Sequence, residues 1–178
     1  MSADSLFEVP AAVEGGREGD ATLSPDRCYR YDLWRVWDAS KARCGWVMLN
    51  PPTADEVRLD ATLRRVKTFS TDWGYGGFVV RNLFALRATD PRELLVADDP
   101  VGPDNDEWLT GRWDGVGRVV VGWGTGRYPR LGDRWRHVAA LLAPMQPLCL
   151  RLAKDGMPVH PLYQRADVVP HVWLEAAA

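Results

Sequence analysis

Three polar residues stand where an apolar run stops: Asn50, Asn82 and His160. Asn50 closes Trp46-Val47-Met48-Leu49, and Asn82 lies inside Phe78-Val79-Val80-Arg81-Asn82-Leu83-Phe84. His160 follows Val159 and, like Asn50, precedes a proline. A residue before proline is pushed out of the helical region, so Asn50 and His160 are expected on stiff, extended backbone. An Asn amide offers one donor face and one acceptor, which suits the polar edge of a base or another amide. A His ring can donate to an oxygen that gains negative charge as a bond breaks. The carboxylates Asp55 and Asp60, which follow Asn50, are candidates to activate a water. The set lacks a strong nucleophile. There is no Gly-x-Ser-x-Gly elbow and no evident Cys–His–Asp partnership, which argues against acyl transfer. His137, His160 and His171 form no local ligand cluster, so neither metal nor cofactor is expected. Each residue also has a structural reading: Asn50 as a turn former, Asn82 as a buried hydrogen bonder, and His160 as a loop residue.

The surrounding elements must bring these groups together. Trp46–Leu49, stopped by Asn50-Pro51-Pro52, reads as a buried strand ending in a rigid loop. Leu59, Leu63, Val66 and Phe69 recur at helical spacing, with Arg64, Arg65 and Lys67 between them. Trp73-Gly74-Tyr75-Gly76-Gly77 is a glycine-rich turn, and residues 78–84 form a second strand. Asp90 and Pro91 start a short helix, as cap and first helical residue. Asp104 or Asn105 caps another. Residues 118–124 are a third strand, residues 135–142 carry a helical apolar face, and Pro147–Leu152 is a fourth strand. Residues 27–37, with the turn at Asp38–Lys41, read as an edge hairpin leading into the sheet. Alternating strands and helices predict an α/β fold: three layers, α/β/α, around a mainly parallel four-stranded sheet. In such sheets ligands bind beyond the carboxyl ends of the strands, where all three polar residues then converge. Gly122-Trp123-Gly124-Thr125-Gly126 lacks the lysine and spacing of a phosphate loop and reads as a strand-end turn.

The chain has 178 residues, enough for one domain with a proper core, expected over 25–178 behind a flexible N-terminal segment, 1–24. The formal charge of −2 does not advertise a nucleic-acid partner, although a local basic face is compatible with it. Arg127, Arg130, Arg134 and Arg136 are candidate phosphate contacts; Arg64 and Arg65 suit the same role or a solvated helix face. Cys28, Cys44 and Cys149 are widely spaced, form no CxxC pair and read as reduced core thiols. No signal peptide or membrane span is recognisable, so a cytoplasmic monomer is expected. Most of the nine tryptophans should be core.

At these positions the chain resembles the uracil-DNA glycosylase superfamily. Val47-Met48-Leu49-Asn50-Pro51 looks like its first motif, a hydrophobic strand ending in Asn-Pro-Gly. Val79–Leu83 through Arg87 and Pro91 is similar to the strand whose Asn reads the base. Val119–Gly124 matches the third strand, and Val159-His160-Pro161 the His-Pro of the second motif. Residues 28–173 also resemble a bacterial family of unknown function with a Leu-Asn-Pro-Ser-Thr-Ala-Asp signature, Trp-Gly-Tyr, Asn-Leu-Phe, Asp-Pro-Val-Gly-Pro and His-Pro-Leu-Tyr. Here these are Leu49–Asp55, Trp73–Tyr75, Asn82–Phe84, Asp99–Pro103 and His160–Tyr163. The glycosylase resemblance implies a base flipped into a crevice and hydrolysis of its N-glycosidic bond. Asn82 would pair with the base, beside Phe69, Trp73 or Tyr75 as a stacking ring. Asn50, with Asp55 or Asp60, would position water, and His160 would stabilise the departing base. The partner implied is single- or double-stranded DNA or a small nucleobase-containing molecule. Two positions depart from the glycosylase pattern: Pro52 replaces a glycine, and Leu162 replaces a serine that would contact phosphate. A non-catalytic nucleic-acid or nucleotide binder and a nucleoside or nucleotide hydrolase are the alternatives.

Overall fold

The computed structural model describes residues 19–53 and 59–173. Its centre is a mixed seven-stranded sheet: β1 (Gly19–Leu23), β2 (Arg30–Val36), β3 (Arg43–Met48), β4 (Gly77–Asn82), β5 (Val116–Val121), β6 (Leu148–Cys149) and β7 (His171–Val172). The order is β1-β2-β4-β3-β5-β6-β7. The four middle strands, β4, β3, β5 and β6, are mutually parallel, while β1, β2 and β7 add antiparallel edges. Four mainly parallel strands and an edge hairpin over residues 27–37 were expected; β2 falls in that hairpin segment, and β1 and β7 bring the sheet to seven. The extra strands come from short segments whose apolar signal is weak: β1 alternates half-buried and exposed residues, and β7 is two exposed residues.

Two further differences concern the N-terminal region. β1 lies inside the segment expected to be flexible, because its backbone pairs with β2 from Gly19 opposite Arg35 to Leu23 opposite Arg30. The edge hairpin is β1–β2. β2 turns toward β3 in sequence but pairs with β4, its Leu33 opposite Val80. Hydrogen bonds from Trp37 and Asp38 to Gly76 fix that choice.

The sheet's two faces follow from strand periodicity. Trp46, Met48, Phe78, Val80 and Val120 face α1 (Ala61–Asp72), which buries Leu63, Val66 and Phe69 against them. Val47, Val119 and Val121 face the opposite way, toward Leu109 of α2 (Asn105–Thr110) and Trp135, Val138 and Leu142 of α3 (Arg134–Leu142). Helices therefore cover both faces. α1 starts at Asp60, whose carboxylate accepts from Leu63 N at 2.7 Å, a side-chain N-cap. It ends at Trp73 and Gly74, the glycine at φ 84°. None of the nine tryptophans is fully exposed. Cys44 and Cys149 are buried, but Cys28 lies exposed before β2.

A buried ion pair joins the antiparallel edge to the parallel centre. Arg81 of β4 donates Nε to Asp32 of β2 at 3.3 Å, Nη1 to Trp108 O and Nη2 to Arg112 O at 2.8 Å. Its guanidinium lies 4.1 Å over the Trp113 ring. Burial pushes the Asp32 carboxyl upward, and the Arg81 charge only partly offsets this.

Candidate active crevice

A crevice of about 420 Å³ opens on the α1 side of the sheet, beyond the carboxyl ends of β3 and β4. That volume lies in the range of small-molecule sites. Register explains its contents. Met48 of β3 pairs with Asn82 of β4. Side chains alternate along a strand, so Met48 and Asn50 share a face, as do Val80 and Asn82. All four line the crevice, and Asp60, Thr62 and Leu63 from the start of α1 form another wall. His160 and Tyr163 arrive from the segment after β6. That segment lies against the end of β5: Gly124 N donates to Pro158 O at 3.0 Å, and a Cβ on Gly122 would meet Pro161 Cδ at 3.1 Å.

Asn50 is held by backbone. Its Nδ2 donates to Ala88 O at 2.7 Å and to Pro51 O at 3.2 Å. Both neighbours are carbonyls, so the amide nitrogen must face them, leaving Oδ1 to serve the crevice as an acceptor. Ala88 N returns a bond to Pro51 O, tying this loop to the one that follows β4.

Asn82 differs. It is only 3% exposed, yet among the described residues no hydrogen bond engages its amide. Its amide reaches the crevice, where water or a ligand can pair with it. His160 is half-buried. Its Nδ1 accepts from Leu162 N at 3.2 Å. A neutral ring therefore carries its proton on Nε2 and is a donor at that atom. Burial pushes the His160 pKa down, against an opposing pull from Asp60. One oxygen of Asp60 is occupied by Leu63 N, and among the described residues no hydrogen bond takes the other.

Asn50, Asn82, His160 and Asp60 thus meet in one crevice. Asp55 lies outside the described residues. None of the three expected stacking rings lines the crevice. Phe69 is fully buried beneath α1, and Trp73 stacks on it at 5.3 Å and on Trp46 at 5.6 Å. Tyr75 sits two residues before β4, at the amino end of the parallel strands, opposite the crevice. The helical period that made Phe69 prominent in sequence is what carries it into the core, and Trp73, at the end of α1, packs on it there. The aromatic at the crevice is Tyr163, 82% exposed, its ring 6.2 Å from that of His160.

The expected phosphate contacts are largely engaged within the protein. Arg64 Nη1 donates to Leu59 O at 2.6 Å, and Arg65 Nη2 donates to Gln164 O, bracing the turn that carries His160. Arg130 pairs with Asp155 at 3.0 Å, Arg136 with Asp133 at 2.9 Å and Arg134 with Asp106 at 2.6 Å. Arg127 is exposed, with its guanidinium 5.2 Å over Tyr128. Among the described residues no three His, Cys, Asp or Glu side chains group to hold a metal ion. No described helix is long and apolar enough to cross a membrane.

Sequence reasoning missed Arg30 and Asn105. Arg30 opens β2, is 3% exposed and lines the crevice. The mixed aromatic and charged stretch around it gave no sign of which side chains turn inward. Asn105, read as a helix cap, instead reaches the backbone at the end of β4.

Fold and site together define an α/β protein with a polar crevice at the carboxyl edge of a parallel sheet. Residues 30–162 match the model of the family described as Protein of unknown function (DUF1643), and the chain belongs to that family. The matched span runs from Arg30 past His160 and so contains every described crevice residue except Tyr163. Searches of curated proteins and of solved structures give no match.

Proposed function

We propose that the crevice receives a nucleobase and that the protein hydrolyses the bond joining it to its sugar. The observation that carries this reading is the Asn82 amide, which lines the crevice on a residue only 3% exposed and takes no hydrogen bond among the described residues, in the same crevice as a His160 donor. Asn82 pairs with the polar edge of the base. Water adds to the anomeric carbon as the C–N bond breaks, and the bonding electron pair leaves with the base. His160, neutral, donates Nε2–H to the base oxygen that takes up this charge. Asn50 Oδ1 faces the developing positive sugar and orients the water, while the second oxygen of Asp60 accepts the water's proton. No side chain here is a strong nucleophile, so rate must come from positioning and from stabilising the leaving group. The resemblance to uracil-DNA glycosylases supports the same roles.

Engagement of Arg64, Arg65 and Arg130 within the protein favours a second reading on substrate size: a free nucleoside or nucleotide in place of DNA. One experiment addresses both. Single- and double-stranded oligonucleotides carrying uracil, hypoxanthine, xanthine or mismatched thymine, and the matching nucleosides and nucleotides, are incubated with the protein and analysed for released base. Release that disappears in Asn82→Ala and His160→Ala supports the reading, and the productive substrate form decides its size. Release unchanged in both variants refutes the assigned roles. DNA binding without release leaves a non-catalytic binder.

A further inference from the structure

The end of β4 is braced from the side opposite the crevice. A strand that stops leaves carbonyls without ladder partners, and buried ones must find donors elsewhere. On the β3 side, Leu83 N and Phe84 N still donate to Met48 O at 2.9 Å and Leu49 O at 3.0 Å. The carbonyls of Asn82 and Leu83 are met by Asn105, at the start of α2 and fully buried. Its Nδ2 donates to Asn82 O at 3.1 Å and to Leu83 O at 2.9 Å. Arg134, 5% exposed at the start of α3, adds Nε to Leu83 O at 2.7 Å. Arg134 is held in turn by Asp106 at 2.6 Å, and the other oxygen of Asp106 meets His137 Nε2 at 2.7 Å.

We propose that Asn105 and Arg134 are positioning residues that set the direction of the Asn82 amide in the crevice. The proposal rests on reading Asn82 as the group that pairs with the ligand. Among the described residues no bond to the Asn82 amide fixes its rotamer, so its direction depends on the backbone that carries it. That backbone is fixed by the carbonyls Asn105 and Arg134 hold. A displacement of about 1 Å at a reacting group lowers rate on the order of 10²-fold.

The test uses the full ¹⁵N-labelled chain and needs no ligand. Side-chain amide NMR signals of Asn82 and Asn50 are assigned by their loss in Asn82→Asp and Asn50→Asp. In Asn105→Ala and Arg134→Met the Asn82 pair is expected to shift and broaden while the Asn50 pair stays in place. Arg134→Lys, which keeps a donor and a charge, is expected to restore part of the signal. Asp106→Asn, at the half-exposed end of the network, loosens Arg134 without touching the core and is expected to move the Asn82 pair in the same direction. It carries the test if the buried variants do not fold. An unmoved Asn82 pair in folded variants overturns the proposal, as does an equal shift of Asn50 and Asn82 within a general loss of dispersion. Should the released-base experiment fail for every substrate, these shifts still decide the positioning role. Should it succeed, the same variants are expected to lose about 10²-fold in kcat/KM.

Discussion

Replacing Asn82 with leucine separates a ligand-pairing amide from a structural one. A structural amide holds the fold together, and its loss destabilises. An amide kept for a ligand penalises the empty protein. An unsatisfied buried polar group costs roughly 1–3 kcal/mol. Asn82 is 3% exposed but borders a crevice of about 420 Å³ that admits water, which places the penalty near the lower end. Leucine has the branched shape of asparagine, and its bulkier methyls would extend into the crevice beside Val80, Leu63 and Met48. Asn82→Leu is therefore expected to stabilise by about 1 kcal/mol, a rise in melting temperature of roughly 2–4 °C for a chain of this size. The assay is thermal and urea unfolding followed by circular dichroism, with Asn105→Leu as the opposite case. Asn105 makes two buried bonds to backbone carbonyls, and its loss should destabilise by roughly 1–3 kcal/mol. If Asn82→Leu destabilises by 1 kcal/mol or more, Asn82 belongs to the scaffold and the crevice loses its principal reading group.

Asp32→Ala strands the Arg81 guanidinium at 4% exposure and is expected to cost about 3–5 kcal/mol in urea unfolding, most of it recovered in Asp32→Leu/Arg81→Met. A loss below 1 kcal/mol would show that Arg81 is held by its carbonyl and indole contacts alone. His160 should titrate below the ordinary histidine value of 6.5 when followed by imidazole NMR. Because the folded form resists the proton, this group's stability contribution is present above pH 6.5 and is lost as pH falls through its lowered pKa. A midpoint at or above 6.5 would remove the neutral donor. Maleimide should modify one thiol per native chain, Cys28, and all three in urea. Burial pushes Cys44 to about 12 and Cys149 to about 11, so native labelling of either would contradict their packing.

The apolar runs at Trp46–Leu49 and Phe78–Val80 and the period through Leu63, Val66 and Phe69 are local signals, and they foretell β3, β4 and α1 in sequence. Proline after Asn50 and after His160 marks where chain direction must change, and with it two of the crevice residues. The apolar run at Pro147–Leu152 also foretells β6, but β1 and β7 carry no comparable signal. They exist because a neighbour offers unpaired backbone, as β6 offers Leu148 and Cys149 to Val172 and His171. The pairing of β2 with β4 over β3, its sequence neighbour, is likewise a long-range choice.

Sequence by itself determined that this is an α/β chain with polar groups at the ends of apolar strands. Residue type, period and the rigidity of proline act over a few positions and need no distant partner. Tertiary structure alone decided which groups share a crevice. Met48 meets Asn82 through parallel register, Phe69 and Trp73 turn into the core, Arg30 turns into the crevice, and Asn105 crosses to the back of β4. Each outcome follows from where a side chain's backbone is placed by strands distant in sequence, and it is at those contacts that burial and hydrogen bonding are determined.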